Sequence, residues 1–425
     1  MEPKHFVVYY LKKVIFMHDR IIFHIDVNSA YLSWSAVERL KNDPSFDLRK
    51  IPSVIGGDRR SRHGIVLAKS IPAKAYHIET AETIASALNK CPSLFIAEPD
   101  HALYEQYSNR LMAFLHTISP DVEKVSIDEC FMDFTPITEK YSSYLVAAQL
   151  IKNTIRDQFG YTVNIGISSR RALAKMASDF EKPDKIHTLF PDELQKKLWP
   201  LSVKELYMCG RSSVNSLKNL EIFTIGDLAR TDPAILVSHL KSHGRLLWEY
   251  ANGIDDTGVS SEQEQLKGIG NSTTLAEDAV TFEDAQPVLL RLADTVAGRL
   301  REDGRHAGVI TVEIKYADFT SFSHQKQFDI PVSTSRSIYE AGAELYQSLW
   351  NGNPVRLIGI RTAKLVDIQT PVQLNLFDYG RENKKQSEKQ ERLDSALDTI
   401  RQKYGKQAIV RGSQLSAEGG KDKST

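Results

Sequence analysis

RIIFHIDVNSAYLSW, residues 20–34, decides how the chain is read. Its first eight residues are a β-rich apolar run and predict a buried strand. From Ser29 onward the pattern changes to that of a helix running through residue 41, with Asn28 or Ser29 as its cap. Asp26 therefore stands at the end of a strand, next to the opening of a helix. By itself such an aspartate is most often a cap or turn residue. A second stretch, EKVSIDECFMDFT (123–135), predicts two short strands turning tightly at Asp128-Glu129, which brings two further acids to a strand end.

One acid at a strand end and more acids on an adjacent strand pair form the pattern that paired divalent ions require. Hard carboxylate oxygens suit Mg²⁺. Two such ions can activate an attacking oxygen and neutralise a phosphate leaving group. Asp133 alternates away from the turn and reads as structural.

The elements around these acids mix strands and helices. IPSVIGGDRRSRHGIVLAKS (51–70) predicts two strands about a Gly-rich basic turn. Helices are expected over 79–90, 101–117, 143–159 and 170–180, with a strand over 161–168. This is an α+β core. The string EKPDK (181–185) breaks the pattern, and the chain to about 255 reads as short-looped helices. Gly210 and Gly226 fall where helix-loop-helix turns belong, and such turns can offer backbone N–H groups to phosphates. A plain helical bundle is the competing reading. After a polar linker, the succession strand, helix, strand, strand, helix, strand over 268–366 is βαββαβ, a ferredoxin-like order. The segment 380–392 is highly charged and reads as a solvated linker or exposed helix, with a short amphipathic helix over 393–405.

Composition narrows the class. The 425 residues exceed one compact core, so two or more domains are expected. Lys plus Arg and Asp plus Glu balance at 54 each, so contact with nucleic acid must come from local basic surfaces. Three scattered cysteines give neither metal-ligand spacing nor a disulfide framework, which fits a reducing cytoplasm. No apolar run approaches the ~20 residues of a membrane span. Met17 precedes the first strong strand, so it is read as the natural start, with residues 1–16 an upstream extension.

FHIDVNSAYLSW (23–34) resembles the first motif of the Y-family DNA polymerases, VSIDECFMD (125–133) resembles their Ser-x-Asp-Glu motif, and VNIGISSRRALAKMASDFEKP (163–183) is similar to a third family stretch. The match is best to the bacterial DinB/UmuC branch and covers about residues 20–412. The resemblance implies a right-hand polymerase: an N-terminal extension at 1–19, a palm at 20–30 and 96–184, small fingers at 31–95 and a helical thumb at 185–258. A linker at 259–265, a ferredoxin-like little finger at 266–369 and a clamp-binding peptide with tail at 370–425 follow. It implies template-directed addition of dNTPs to a primer 3′ end, at low fidelity and past damaged bases, using two Mg²⁺ ions. Apart from the resemblance, a cytoplasmic monomer is expected.

Residue by residue, Asp26, Asp128 and Glu129 match the metal-binding triad, with the Val27 carbonyl as backbone ligand. Asn28, Ser29, Ala30 and Tyr31 match the N–H groups around the triphosphate, and Tyr31 matches the steric gate that rejects a ribose. Lys175 matches the triphosphate lysine. The usual Tyr-x-x-Arg pair of the fingers is Ile71 and Lys74 here, which keeps a charge but loses the planar fork; Lys69 is a further source of grip. Arg356 and Arg361 are expected to contact phosphates of the primer-template DNA. QLNLFD (373–378) resembles the peptide that docks on the β sliding clamp, with Gln373, Leu374, Leu376 and Phe377 as anchors. Two alternatives carry different outcomes. A nucleotide cyclase is suggested by GGD at 56–58, but no acidic pair follows it. A catalytically weak DNA-binding accessory protein is suggested by the altered fingers pair.

Overall fold

β1 (Ile22–Val27) is almost wholly buried, and its two faces serve different partners. The computed structural model, which describes residues 20–57, 64–261, 265–370, 383–405 and 408–409, places it in the middle of a five-stranded sheet. The chain divides into two compact units at about residue 263.

In the first unit, β1 leads into α1 (Ala30–Asn42). A small three-stranded sheet follows, made of β2 (Ser53–Gly56), β3 (Val66–Lys69) and β4 (Phe95–Ala97), with α2 (Ile71–Lys74) and α3 (Ile84–Lys90) between the last two strands. It has its own core around Val54, Val66 and Ile84. The chain continues through α4 (His101–His116), β5 (Val122–Lys124), β6 (Glu129–Asp133), α5 (Tyr144–Thr154), β7 (Val163–Ser168), α6 (Arg171–Ser178) and β8 (Ile186–Thr188). The large sheet has the order β5-β6-β1-β7-β8.

Strand alternation sorts β1 into two faces. Phe23, Ile25 and Val27 join Trp34 of α1, Tyr104 of α4 and Ile151 of α5 in the main core. Ile22, His24 and Asp26 point the other way, where Ile22 packs with Phe131 of β6 and Ala174 of α6. The approach of α6 depends on Gly166, the β7 partner of His24: a Cβ there would lie 2.0 Å from the Ala174 carbonyl oxygen. α6 also contributes Leu173 and Met176 to the core of the helical segment, which comprises α7 (Leu194–Lys197), α8 (Arg211–Asn219), α9 (Ile225–Arg230) and α10 (Pro233–Ala251).

The second unit runs β9 (Gly270–Ala279), α11 (Phe282–Glu302), β10 (Arg305–Tyr316), β11 (Ser321–Val332), α12 (Ser335–Leu349) and β12 (Val355–Asp367). The expected βαββαβ succession is present. The sheet order is β9-β12-β10-β11, antiparallel throughout, so each β-α-β pair is split by a strand of the other. Both helices pack on one face over Leu289, Val296, Ile310 and Ile358. A last helix, α13 (Asn383–Tyr404), is tied to the same unit: Arg301 pairs with Asp394 at 3.3 Å and with Asp398 at 2.7 Å.

Leu32, Trp34 and Ala36 of α1 are buried in the main core, and β8 carries the large sheet past residue 184 by pairing in parallel with β7. One expectation shifts. Glu129 is not in the turn: it opens β6, and the turn proper is carried by residues 125–128, with the Val125 and Ser126 N–H groups both donating to the Glu129 carbonyl.

Candidate active site

Antiparallel register sets the acidic centre. Asp26 lies directly opposite Glu129, so both carboxylates emerge on the α6 face. Asp128 precedes Glu129 in the turn. Its carbonyl accepts from the Val27 N–H at 3.0 Å, and its carboxylate accepts from the Ser126 hydroxyl at 2.7 Å. Asp26, Val27, Asp128, Ser29, Ala30 and Tyr31 line a cavity of about 460 Å³, closed from the other side by Leu67, Lys69, Lys74 and Thr80 and flanked by Lys182.

Two lysines balance the acids. Lys175 Nζ lies 2.7 Å from Glu129 and 3.4 Å from both Asp26 and Asp179. Lys182 Nζ lies 3.1 Å from Asp26 and 2.8 Å from Asp179. Burial opposes the charge on each lysine, yet the carboxylates prevail and hold both above the usual lysine range. Glu129 is held down to about 2, first by the His24 imidazole and then, against burial, by Lys175. Asp128 moves the other way: burial raises it, as do the nearby Asp26 and Glu129 charges, while the Ser126 hydroxyl partly offsets them.

His24 is buried, and burial keeps its pKa below the ordinary histidine value. Its Nδ1 is 2.8 Å from Ser178 Oγ and its Nε2 is 3.4 Å from Glu129. The ligand atoms of His24, Asp26 and Glu129 lie within 4.8 Å of one another. Asp26 faces the cavity along with Asp128, while neither Glu129 nor His24 lines it; Glu129 is partly exposed and His24 is fully buried. The donor set open to a cation is thus carboxylate oxygen, which fits Mg²⁺.

Asn28 departs from expectation. Its N–H donates to the Thr162 carbonyl at 3.0 Å, and its buried side chain bonds Asn164, Thr162 and the Asp184 N–H. It pins the strand end to β7 and to the chain after α6, so its N–H is not open to a ligand. Ser29, in the left-handed region at φ 48°, turns the chain into α1, and Ser29, Ala30 and Tyr31 face the cavity. Tyr31 stacks on Tyr104 with centroids 4.3 Å apart.

The lysines also sort differently. Lys175 is only 14% exposed and sits among the acids, whereas Lys182, at 33%, lines the cavity. Sequence reading passed over Lys182, although it stands within the third quoted stretch. Lys74 lines the cavity, and the neighbouring Ile71 is 58% exposed. Lys69 also lines the cavity but gives its ammonium to the Ile78 carbonyl.

The residues expected to touch DNA are scattered. Gly226 is buried within α9, not in a turn; its N–H donates to the Trp199 carbonyl at 3.0 Å, and a Cβ would lie 3.1 Å from Trp199 Cβ. It is a packing glycine. Gly210 caps α8, its N–H directed at the Met208 carbonyl and its Cα open to space. In the second unit Arg361 lies on the sheet face away from the helices, in a groove of about 560 Å³ with Lys267, Asn271, Thr311 and Glu313. Arg356 sits at a bulge and lays its guanidinium over Phe319 at 4.9 Å, outside that groove. Gln373, Leu374, Leu376 and Phe377 lie outside the described residues.

Comparison with known proteins agrees across both units. Residues 25–179 match the impB/mucB/samB family, and residues 266–376 match the C-terminal domain of that family. DNA polymerase IV of Clostridium acetobutylicum is 44% identical over 399 residues, 94% of this chain and 99% of that protein. DNA polymerase IV 1 of Bacillus subtilis is 35% identical over 408 residues, 96% of each. A solved Y-family DNA polymerase chimera has the same fold, with a TM-score of 0.72 at 23% identity, covering 82% of this chain and 99% of that one.

Proposed function

This chain belongs to the impB/mucB/samB family, the Y-family of DNA polymerases, and on that premise we propose that Asp26, Asp128 and Glu129 carry out template-directed extension of a primer 3′ end by dNTPs, on intact and damaged templates. The observation that carries this reading is the pairing of Asp26 with Glu129 across two adjacent strands, with Asp128 in the turn before Glu129, beside a cavity that Asp26 and Asp128 line together with Tyr31 and cationic side chains.

Asp26, Asp128 and Glu129 would hold two Mg²⁺ ions, with the Val27 carbonyl as a further oxygen. Bound there, the ions supply activation of the primer 3′ oxygen and charge neutralisation at the triphosphate. The protein's own part is placement and field. The first-turn N–H groups of Ser29, Ala30 and Tyr31 open a helix toward the cavity, a ready site for phosphate oxygens. Lys182 and Lys74 add positive charge from opposite walls. Lys175, expected to grip the triphosphate, is better placed to hold Asp26 and Glu129 in register with each other. Tyr31 presents an aromatic ring at the sugar position and excludes a 2′-hydroxyl.

Arg361 and its groove serve the template-primer backbone, with Gly210 as a weaker contact in the helical segment. The peptide at 373–378 tethers the enzyme to a sliding clamp and raises its effective concentration at the primer end. No described helix is long and apolar enough to cross a membrane. A cytoplasmic monomer remains our reading of location and assembly. The accessory-protein alternative has no support among relatives named as polymerases.

Primer extension on undamaged and abasic templates with Mg²⁺, comparing the wild type with Asp128→Ala, tests the assignment. Extension by the wild type and none by the variant is expected. Equal extension by both would remove Asp128 from the chemistry, and none by either, even with Mn²⁺, would restore the accessory reading.

A further inference from the structure

We propose that Tyr104 is a positioning residue for sugar discrimination, setting from α4 the plane of the ring that Tyr31 presents to the cavity. The inference rests on the reading of Tyr31 as the steric gate. Tyr31 sits in the first turn of α1 and is only partly buried, so its ring has one face toward the cavity and needs support on the other. Tyr104 supplies it. The two rings are nearly parallel, 8° apart, with centroids at 4.3 Å, and Tyr104 itself is 0% exposed.

The supporting ring is in turn fixed. Its hydroxyl lies 3.0 Å from Ser35 Oγ, on the same helix as Tyr31 and one turn further along. Trp34 packs obliquely against it at 6.0 Å, and the His101 ring meets both tyrosines edge-on at about 6 Å. A closed loop results: α1 carries Tyr31, Tyr31 stacks on Tyr104, and Tyr104 returns to α1 through Ser35. With its ring stacked on Tyr104 at 4.3 Å, Tyr31 has no room to move toward α4. A gate works only if it fails to yield when a ribose presses on it. Resistance to retreat is the property that the second ring provides.

The test measures kcat/KM for one deoxynucleoside triphosphate and for its ribonucleotide on the same template. The variants are Tyr104→Phe, Tyr104→Leu, Tyr104→Met, Tyr31→Ala and the double Tyr31→Ala/Tyr104→Leu. Tyr104→Phe keeps the stack but loses the tie to Ser35, so it should lower the deoxy-to-ribo ratio by less than Tyr104→Leu does. Tyr104→Leu should lower the deoxy-to-ribo ratio about 2- to 12-fold, the worth of one aromatic pair, mainly by faster ribonucleotide insertion. Tyr104→Met carries the same expectation should the leucine variant fold poorly. The double variant should discriminate no worse than Tyr31→Ala alone. If Tyr31→Ala loses discrimination while the leucine and methionine variants keep it, or slow both nucleotides equally, Tyr104 is structural and the proposal falls by itself. If Tyr31→Ala changes nothing, the gate reading fails and takes the proposal with it.

Discussion

Removing the Glu129 charge by Glu129→Gln should destabilise the metal-free protein at neutral pH and leave it nearly unaffected in acid. The folded chain depresses Glu129 from 4.5 to about 2. A depressed carboxyl contributes stability that is fully present above its unfolded pKa and is lost as pH falls through its folded pKa. The window is therefore from about pH 5 down to about pH 2. A shift of this size corresponds to roughly 3 kcal/mol at 1.36 kcal/mol per unit, and because Glu129 is 22% exposed we discount it to about 2 kcal/mol. For a unit of this size that is a lowering of the melting temperature by about 4–8 °C. Circular dichroism melts in chelator at pH 7 and pH 2.5, wild type against Glu129→Gln, measure it. The gap should be open at pH 7 and mostly closed at pH 2.5. A gap of equal size at both pH values would show that glutamine disturbs packing and that the His24 and Lys175 contacts do not hold the charge.

Three further outcomes follow from the geometry. Lys182→Ala should raise KM for dNTP about tenfold with a smaller change in kcat, the loss of one charge-assisted contact; an unchanged KM in steady-state kinetics would return the triphosphate role to Lys175. Arg301→Ala should release α13, since Arg301 meets both Asp394 and Asp398; limited proteolysis should then cut near residues 383–404 while the second unit's sheet survives, and an unaltered digestion pattern would mean that the helix is held otherwise. Deleting residues 373–378 should abolish stimulation by a sliding clamp and spare basal extension; a parallel fall in both would make the peptide structural.

The grouping of the three acids in the candidate site was legible because its signal is local. A strand-end acid, an acid pair in a short hairpin and their order along the chain survive translation into three dimensions. What failed were matters of long-range pairing. Whether the Asn28 N–H is free depends on Thr162, more than 130 residues away in sequence, whose carbonyl takes it. Gly226 has the spelling of a turn glycine, but its environment is set by Trp199, which arrives from another segment and would crowd any Cβ at 3.1 Å. Lys175 and Lys182 lie seven residues apart and cannot be ranked by helical spacing, since α6 stops at Ser178 and the chain turns before Lys182. Arg356 and Arg361 were grouped by strand membership, but their odd separation of five residues does not put them on one face by alternation, and the register shift between Leu357 and Val355 leaves Arg356 at a bulge.

The two lysines explain how such a site folds at all. Carboxylates brought to one sheet end repel one another, and Asp128, raised chiefly by burial, also registers that repulsion. Lys175 answers it from within: it rides on α6, whose close seating on Gly166 fixes it against Glu129, and its low exposure leaves it little room to move. Lys182 answers it from the rim. It follows α6 in a turn, shares Asp26 and Asp179, and has cavity on its other side. In the proposed mechanism, Lys175 would keep the acids assembled before any cation arrives, and Lys182 would exchange Asp26 for a phosphate once the carboxylate charge is otherwise balanced. This division also reconciles a chain of zero formal net charge with a polyanionic substrate, because the positive charge that matters is held locally, against the acids it can exchange for phosphate.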